Sequence, residues 1–253
     1  FAPRFKNFDR YFKPLMFIRK LEPLEGAPKV KITCKPVQER GSKQLTPSIG
    51  SNHIRYMGQD QEIRLTTNAP LSYICEGKFF VLQRSVYLVF TYGRPLEAPV
   101  ESTCERFLQA TTEYWQSWVK STSISTFHQR LVLRSALLLK IHQYEDTGAI
   151  IASSTTSLPE SPGSTRNWDY RYCWIRDSYY TLTSLNSVGH FEELEKYFEY
   201  IQNLPVGADG RYQPLYSITG DSLLTEEISD LQGYLGNQPV RFGNQAYPHI
   251  QND

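Results

Sequence analysis

No apolar run in the sequence approaches the ~20 residues that a spanning helix needs, and the mean hydropathy is −0.45. Charge of one sign is lacking as well. Lys and Arg number 27 against 26 Asp and Glu, a formal net charge of +1. That balance leaves no electrostatic footprint for nucleic acid or an anionic membrane. Cysteine is scarce: Cys34, Cys75, Cys104 and Cys173 are the four, and none form a CxxC pair. No Cys/His cluster has zinc spacing, and His53, His190 and His249 have no ligand partners at metal spacing. Scattered thiols in a chain of this size read as reduced and mostly buried. No metal and no organic cofactor is expected. Residues 1–13 mix charge with aromatics and lack the apolar core of a secretory signal, so the expected compartment is cytoplasmic.

What the chain has in quantity is aromatic side chains: 17 Tyr, 13 Phe and 4 Trp in 253 residues. The length allows one large domain or two ordinary ones. Composition changes character near residue 105. Before it, stretches 17–20, 30–34, 54–56, 62–66, 71–75, 79–82 and 85–91 are rich in Val, Ile, Thr, Tyr and Phe. Gly, Asn and Pro turn signals bound them, which predicts short antiparallel strands in a sandwich. The polar stretch 40–51 reads as a loop.

Beyond Pro99 the period becomes helical. A linker helix is predicted over 105–118, carrying Phe107, Leu108, Thr111, Tyr114, Trp115 and Trp118 at helical spacing. A second helix is predicted over 125–144. Its apolar face is Leu131, Leu133, Ala136, Leu137, Leu138 and Ile141. Residues 153–164 are Ser/Thr/Pro/Gly-rich and exclude a helix. Further helices are predicted over 177–188 and over 192–204, the latter with Leu194, Tyr197, Phe198 and Ile201 inward. A last one is expected to begin at Asn244. No internal repeat has a fixed period, yet helix, long loop, helix recurs, the pattern by which an α/α barrel gathers loops on one face.

The densest constellation is 166–177, Arg-Asn-Trp-Asp-Tyr-Arg-Tyr-Cys-Trp-Ile-Arg-Asp. A core strand would not carry so many charges, and a solvated loop would not carry so many rings. Trp and Tyr stack on the apolar faces of pyranose rings. Arg offers a planar fork of donors, and Asp accepts from two neighbouring hydroxyls. Arg–Asp pairs also brace loops, and Trp with Tyr can seal a loop to a core. Sugar binding and loop bracing both fit the composition. Glu226, Glu227, Asp209 and Asp221 read as solvated charges. His128 and His142 read as helix residues without chemistry, and Cys173 as packing.

This block, with Ser157-Leu158-Pro159-Glu160 before it and Pro239-Val240-Arg241-Phe242-Gly243-Asn244-Gln245-Ala246 after it, closely resembles glycoside hydrolase family 15. That family holds glucoamylases, glucodextranases and bacterial-type trehalases. Stretches near Arg19 and Leu82 also look like its bacterial members, so the resemblance covers almost the whole chain. It implies an α+β multidomain chain: an antiparallel β-supersandwich over 1–104, a linker helix over 105–124, and the first part of an (α/α)6 barrel over 125–253. It implies an inverting attack on an α-glucosidic bond at a non-reducing end, with an α-glucoside or α-glucan as partner and no oligomeric state specified. Carried over, Tyr170, Trp174, Arg176 and Asp177 line the innermost glucose subsite, with Arg241 and Asn244 near it. Trp168 and Asp169 are expected to shape the loop. An inverting glycosidase needs an acid and a base ~6.5–9.5 Å apart. In the family both come from later segments, so the resemblance puts them beyond Asp253. The expectation is therefore an N-terminal portion of an enzyme, catalytically incomplete alone. The alternative is a non-catalytic carbohydrate-binding or scaffold protein.

Overall fold

Alternation of buried and exposed residues builds the first part of the chain. In the computed structural model, residues 1–8, 10–41, 43–58 and 61–251 are described. The chain divides into two compact units, Phe1–Trp118 and Val119–Asp253. Strands gather in the first and most helices in the second, a mixed α and β architecture.

The first unit opens on a hairpin of β1 (Phe5–Asn7) and β2 (Arg10–Phe12), followed by β3 (Met16–Leu21) and the short β4 (Lys29–Val30). Next come β5 (Val37–Gln38), β6 (Lys43–Gln44), β7 (Pro47–Ile49), β8 (His53–Met57) and β9 (Glu62–Thr67). Helix α1 (Leu71–Glu76), β10 (Phe80–Val81), β11 (Val86–Tyr92) and helix α2 (Val100–Lys120) complete it. The main sheet is antiparallel and five-stranded, in the order β3-β11-β9-β8-β7. Period-2 alternation along the central strand β11 explains why it is buried on both sides. Val86 joins Ile54, Tyr56, Leu65 and Ile74 in one cluster. Tyr87 and Val89 join Ile18, Cys104 and Phe107 in another. One face of the sheet is thus closed by α1 and the other by α2.

Three stretches differ from the sequence reading. Of 30–34, predicted as a strand, only Val30 is in one, at the end of β4. Residues 71–75, predicted as a strand, form α1. Pro70 precedes the helix, and Gly77 (φ 66°) ends it in the left-handed region. The N–H of Gly77 bonds back to the Ile74 carbonyl, and that of Lys78 to Tyr73. These local stop signals override β propensity. Stretch 40–51, predicted as a loop, contains β6 and the edge strand β7. All three β7 residues are exposed, and a solvated edge strand has no apolar signature to read.

In the second unit, α3 (Gln129–Ile141) is followed by β12 (Cys173–Trp174), α4 (Ile175–Ser187), α5 (Glu192–Gln202) and β13 (Leu215–Tyr216). The hairpin of β14 (Glu227–Ser229) and β15 (Val240–Phe242) comes last. Helix α3 starts later than predicted, because His128 takes a left-handed φ of 54° before it. Of its predicted apolar face only Ala136 is fully covered, while Leu131 and Ile141 stay 65% and 60% exposed; Lys140, outside that face, is buried as well. Helix α5 is rotated from the expected face. Glu193, Tyr197 and Tyr200 are buried, and Leu194 and Phe198 face solvent. On the buried face the Glu193 carboxylate lies 2.8 Å from the buried Lys140 ammonium. The core of this unit collects Ala149, Ile150, Cys173, Leu182, Tyr197, Tyr200, Leu204 and Tyr216. No helix forms at 244–251: residues 245–248 make turns only. Pro248 lacks the donor a helix needs and biases Tyr247 away from helical geometry. Among the described residues, no helix is long and apolar enough to cross a membrane.

Candidate functional site

The aromatic and charged block at 166–177 runs as an extended loop into β12 and the first turn of α4. Its end is anchored by pairing of Cys173 with Tyr216 and Trp174 with Leu215. Leu215, Tyr216 and Cys173 have no exposed surface, so Trp174 and the residues after it spring from a rigid base. The Cys173 thiol lies 3.5 Å from the Ser178 hydroxyl. Burial pushes its pKa up, which keeps it a packed thiol rather than a nucleophile.

The charges of the block divide into two sets. Asp169 is fully buried and takes a bidentate fork from Arg171, with Nε and Nη2 each at 2.8 Å. It also accepts the Gly243 N–H at 3.3 Å. Arg166 pairs with Glu160 at 2.8 Å. This set braces the loop. The other set lines a cavity of about 430 Å³. Tyr170, Trp174, Arg176, Asp177 and Asn244, five of the six residues named from the sequence, lie on its wall. Trp168, Glu226, Gln245, Ala246 and His249 complete it. Arg241, the sixth, is not on the wall. It stands behind, bonded to Glu226 and 4.9 Å from the Trp168 ring centroid.

Two wall residues each keep one polar atom buried. Trp174 Nε1 and Asp177 Oδ2 are buried and have no hydrogen-bond partner among the described residues. Arg176 Nη2 approaches Asp177 Oδ2 at 3.4 Å without hydrogen-bond geometry, and its guanidinium sits 5.3 Å from the Trp174 ring centroid. The Tyr170 hydroxyl donates to Glu160 at 3.1 Å. Burial, and then that bond, raise the Tyr170 pKa, so the phenol stays protonated. Buried donors and acceptors without partners are rare and call for a ligand or water.

A sequence model of the Glycosyl hydrolases family 15 matches residues 126–253. The chain belongs to this family. It is 42% identical over 146 residues to a trehalase of Thermoplasma volcanium, covering 58% of this chain and 23% of that protein. It is 34% identical over 198 residues to a trehalase of Thermoplasma acidophilum, covering 78% of this chain and 34% of that protein. A trehalase of Mycobacterium tuberculosis is 43% identical over 148 residues, covering 56% of this chain and 22% of that protein. The chain thus spans about a quarter to a third of the length of these relatives. No solved structure gives a significant match.

Family 15 membership makes this a chain of glycoside hydrolase type. Two features of the cavity escaped the sequence reading. Glu226, read as a solvated charge, is only 13% exposed in its side chain and ion-paired. His249 lines the cavity although nothing in its sequence surroundings marked it. The Glu226 signal was available only through its partner: β14 and β15 bring 227 opposite 242, which carries Glu226 to Arg241. Among the described residues, no group of three His, Cys, Asp or Glu could hold a metal ion.

Proposed function

We propose that the protein containing this chain is an inverting α-glucoside hydrolase that releases glucose from a non-reducing end, with trehalose as its substrate. The observation that carries this reading is one cavity whose wall sets Trp168, Tyr170 and Trp174 beside Arg176, Asp177 and Asn244. A pyranose fits such a wall. Its hydroxyls exchange hydrogen bonds with the arginine, aspartate and asparagine side chains, and its C–H faces stack on Trp and Tyr. Tyr170, Trp174, Arg176, Asp177 and Asn244 bind sugar in this reading, with Arg241 behind them. Trehalose is favoured over starch or dextran because the relatives named above are trehalases.

Residues 1–104 form the sandwich domain in this proposal, 105–124 the linker, and 125–253 the first part of an (α/α)6 barrel. Asp177 lies beside Arg176 and Glu226 is bound to Arg241, and both accept hydrogen bonds in this reading. The general acid and base belong to other segments in this proposal, and 1–253 alone binds sugar without cleaving it. The test has two arms. The full-length protein is assayed on trehalose, maltose and dextran, and residues 1–253 are assayed on the same panel. Cleavage of trehalose by the first and not the second is expected. Cleavage by residues 1–253 alone overturns the incomplete-site reading. A full-length protein that binds sugar, by tryptophan fluorescence, but cleaves none of the panel supports a non-catalytic binder instead.

A further inference from the structure

We infer that Glu226 is an additional substrate-binding residue of the cavity, and that Arg241 is the positioning residue that holds it there. This rests on the sugar-site reading above. The sequence suggests the reverse arrangement, with Arg241 touching sugar and Glu226 in solvent. The geometry exchanges their roles.

Glu226 lines the cavity, on a different element from Asp177 and Arg176. Arg241 does not reach the wall, and its guanidinium is held at several points. Nη1 donates to Glu226 Oε1, Nη2 donates to the Thr165 carbonyl at 3.4 Å, and the group stacks near the Trp168 ring. Its main chain is fixed as firmly. The Arg241 N–H donates to Ser157 Oγ at 2.7 Å. Its carbonyl accepts from Thr156 Oγ1 at 2.7 Å and from Ser157 Oγ at 3.3 Å. Arg241 is thereby tied to three points of the 156–168 loop, and it transmits that anchorage to one oxygen of Glu226.

A half-buried ion pair contributes little stability by itself, because desolvation offsets the attraction. Side-chain exposures of 13% and 14% put Glu226 and Arg241 in that regime. The pair makes more sense as a device that presents a carboxylate to the cavity. One Glu226 oxygen is held by Arg241, and the other has acceptor capacity left for a ligand hydroxyl. With Asp177 on α4 and Glu226 just before β14, the cavity offers acceptors from two separate elements. A polyhydroxylated neutral ligand satisfies both.

The experiment uses the full-length protein, with glucose and 1-deoxynojirimycin as probes read by tryptophan fluorescence and calorimetry. Glu226→Ala is expected to raise Kd at least tenfold, and Glu226→Gln by less, since the amide keeps an acceptor oxygen. Arg241→Ala is expected to weaken binding as much as Glu226→Ala, and the double variant no further than either single change. Arg241→Lys should recover part of the loss, which a purely structural defect would not show once melting temperatures are matched. Glu226→Gln preserves side-chain shape and keeps the test open where the alanine variant fails to fold. Wild-type affinity in both Glu226 variants, with binding lost in Asp177→Ala, overturns this inference and leaves the sugar site standing. Wild-type affinity in Asp177→Ala as well overturns the sugar-site reading itself. Additive losses in the double variant overturn the positioning role of Arg241.

Discussion

Asn244 donates its side-chain amide to the main-chain oxygen of Asp169 at 3.0 Å, across 75 residues of sequence. The Asp169 carboxylate meanwhile accepts the Gly243 N–H at 3.3 Å. One buried residue thus clasps two consecutive positions of the late block, and residues of the two sequence blocks that stood out line one cavity.

Replacing Asp169 with Ala should be among the most damaging changes near the cavity. It strips acceptors from Arg171 Nε and Nη2 and leaves the buried Gly243 N–H unsatisfied. Losing the partner of a buried polar group costs about 1–3 kcal/mol, and more where the bond is charge-assisted. A loss of roughly 2–4 kcal/mol is expected on that basis. Urea denaturation of the full-length protein, compared with wild type, measures it. Arg171 is 43% exposed, so Arg171→Ala should cost less than Asp169→Ala. Equal losses would mean that Asp169 matters only as the partner of Arg171.

Gly243 should tolerate no side chain. Its φ of +89° is one that L residues rarely adopt, and an added Cβ would meet the Thr225 carbonyl at 2.0 Å and the Glu226 Cα at 2.9 Å. Both obstacles are backbone and cannot rotate away, so Gly243→Ala must displace the chain that carries Glu226. The expected result is weakened sugar binding together with a lowered melting temperature. Gly210 is the control. Its φ is +77°, but nothing lies within 4 Å of an added Cβ, and Gly210→Ala should cost only the ~1 kcal/mol of left-handed backbone strain. Comparable effects at the two glycines would show that close approach is not what Gly243 provides.

The sequence revealed most where one side chain decides alone. Chemical type singled out the block 166–177, the resemblance to family 15 picked Tyr170, Trp174, Arg176 and Asp177 within it, and all four line one cavity. Strand 85–91 was legible because alternation is local; β11 covers all of it but the first residue. What stayed hidden depends on partners distant in sequence. Glu226 reads as a surface charge until β15 brings Arg241 to it. The buried face of α5 cannot be read from α5, because Glu193 turns inward beside Lys140, which lies on another helix. Helix α1 was missed for a different reason: six residues are too few for a helical period, and only the caps give it away.

Acid should destabilise the second unit through His190. This residue is buried, and its Nε2 lies 2.8 Å from Thr122 Oγ1. Burial is the largest influence and lowers its pKa; Glu193 acts to raise it and Lys140 to lower it. A lowered folded-state pKa means that the native protein resists a proton the unfolded chain accepts. The stabilisation is complete above the ordinary histidine value of 6.5 and is lost as pH falls through the lowered one. Melting temperatures should therefore decline below about pH 6.5, and His190→Gln should flatten that decline while lowering stability at pH 7.5. A His190→Gln profile parallel to wild type would assign the acid sensitivity to other groups.

Lys140, Glu145 and Glu193 form a buried cluster with side-chain exposures of 3%, 4% and 2%. Lys140 Nζ lies 2.8 Å from Glu193 and 3.4 Å from Glu145, one cation between two carboxylates. The Gln143 amide donates to the Glu193 carbonyl at 2.8 Å, which ties α5 to the segment after α3. Removing the cation leaves two carboxylates in low dielectric facing each other, a costlier state than removing a whole pair. Lys140→Met should therefore destabilise by about 3–5 kcal/mol, whereas Lys140→Met combined with Glu193→Gln should recover part of that loss. The double-mutant cycle, measured by denaturant unfolding, should give a coupling energy above about 1 kcal/mol. Independent, additive losses would mean that the cluster is wetter than its burial implies. The cycle also bears on α5, since Glu193→Leu in the Lys140→Met background removes the reason for the helix to turn its charge inward. If that variant keeps Tyr197 and Tyr200 buried, shown by unchanged tyrosine fluorescence quenching, aromatic packing alone sets the rotation of α5. If burial is lost, the ion pair sets it.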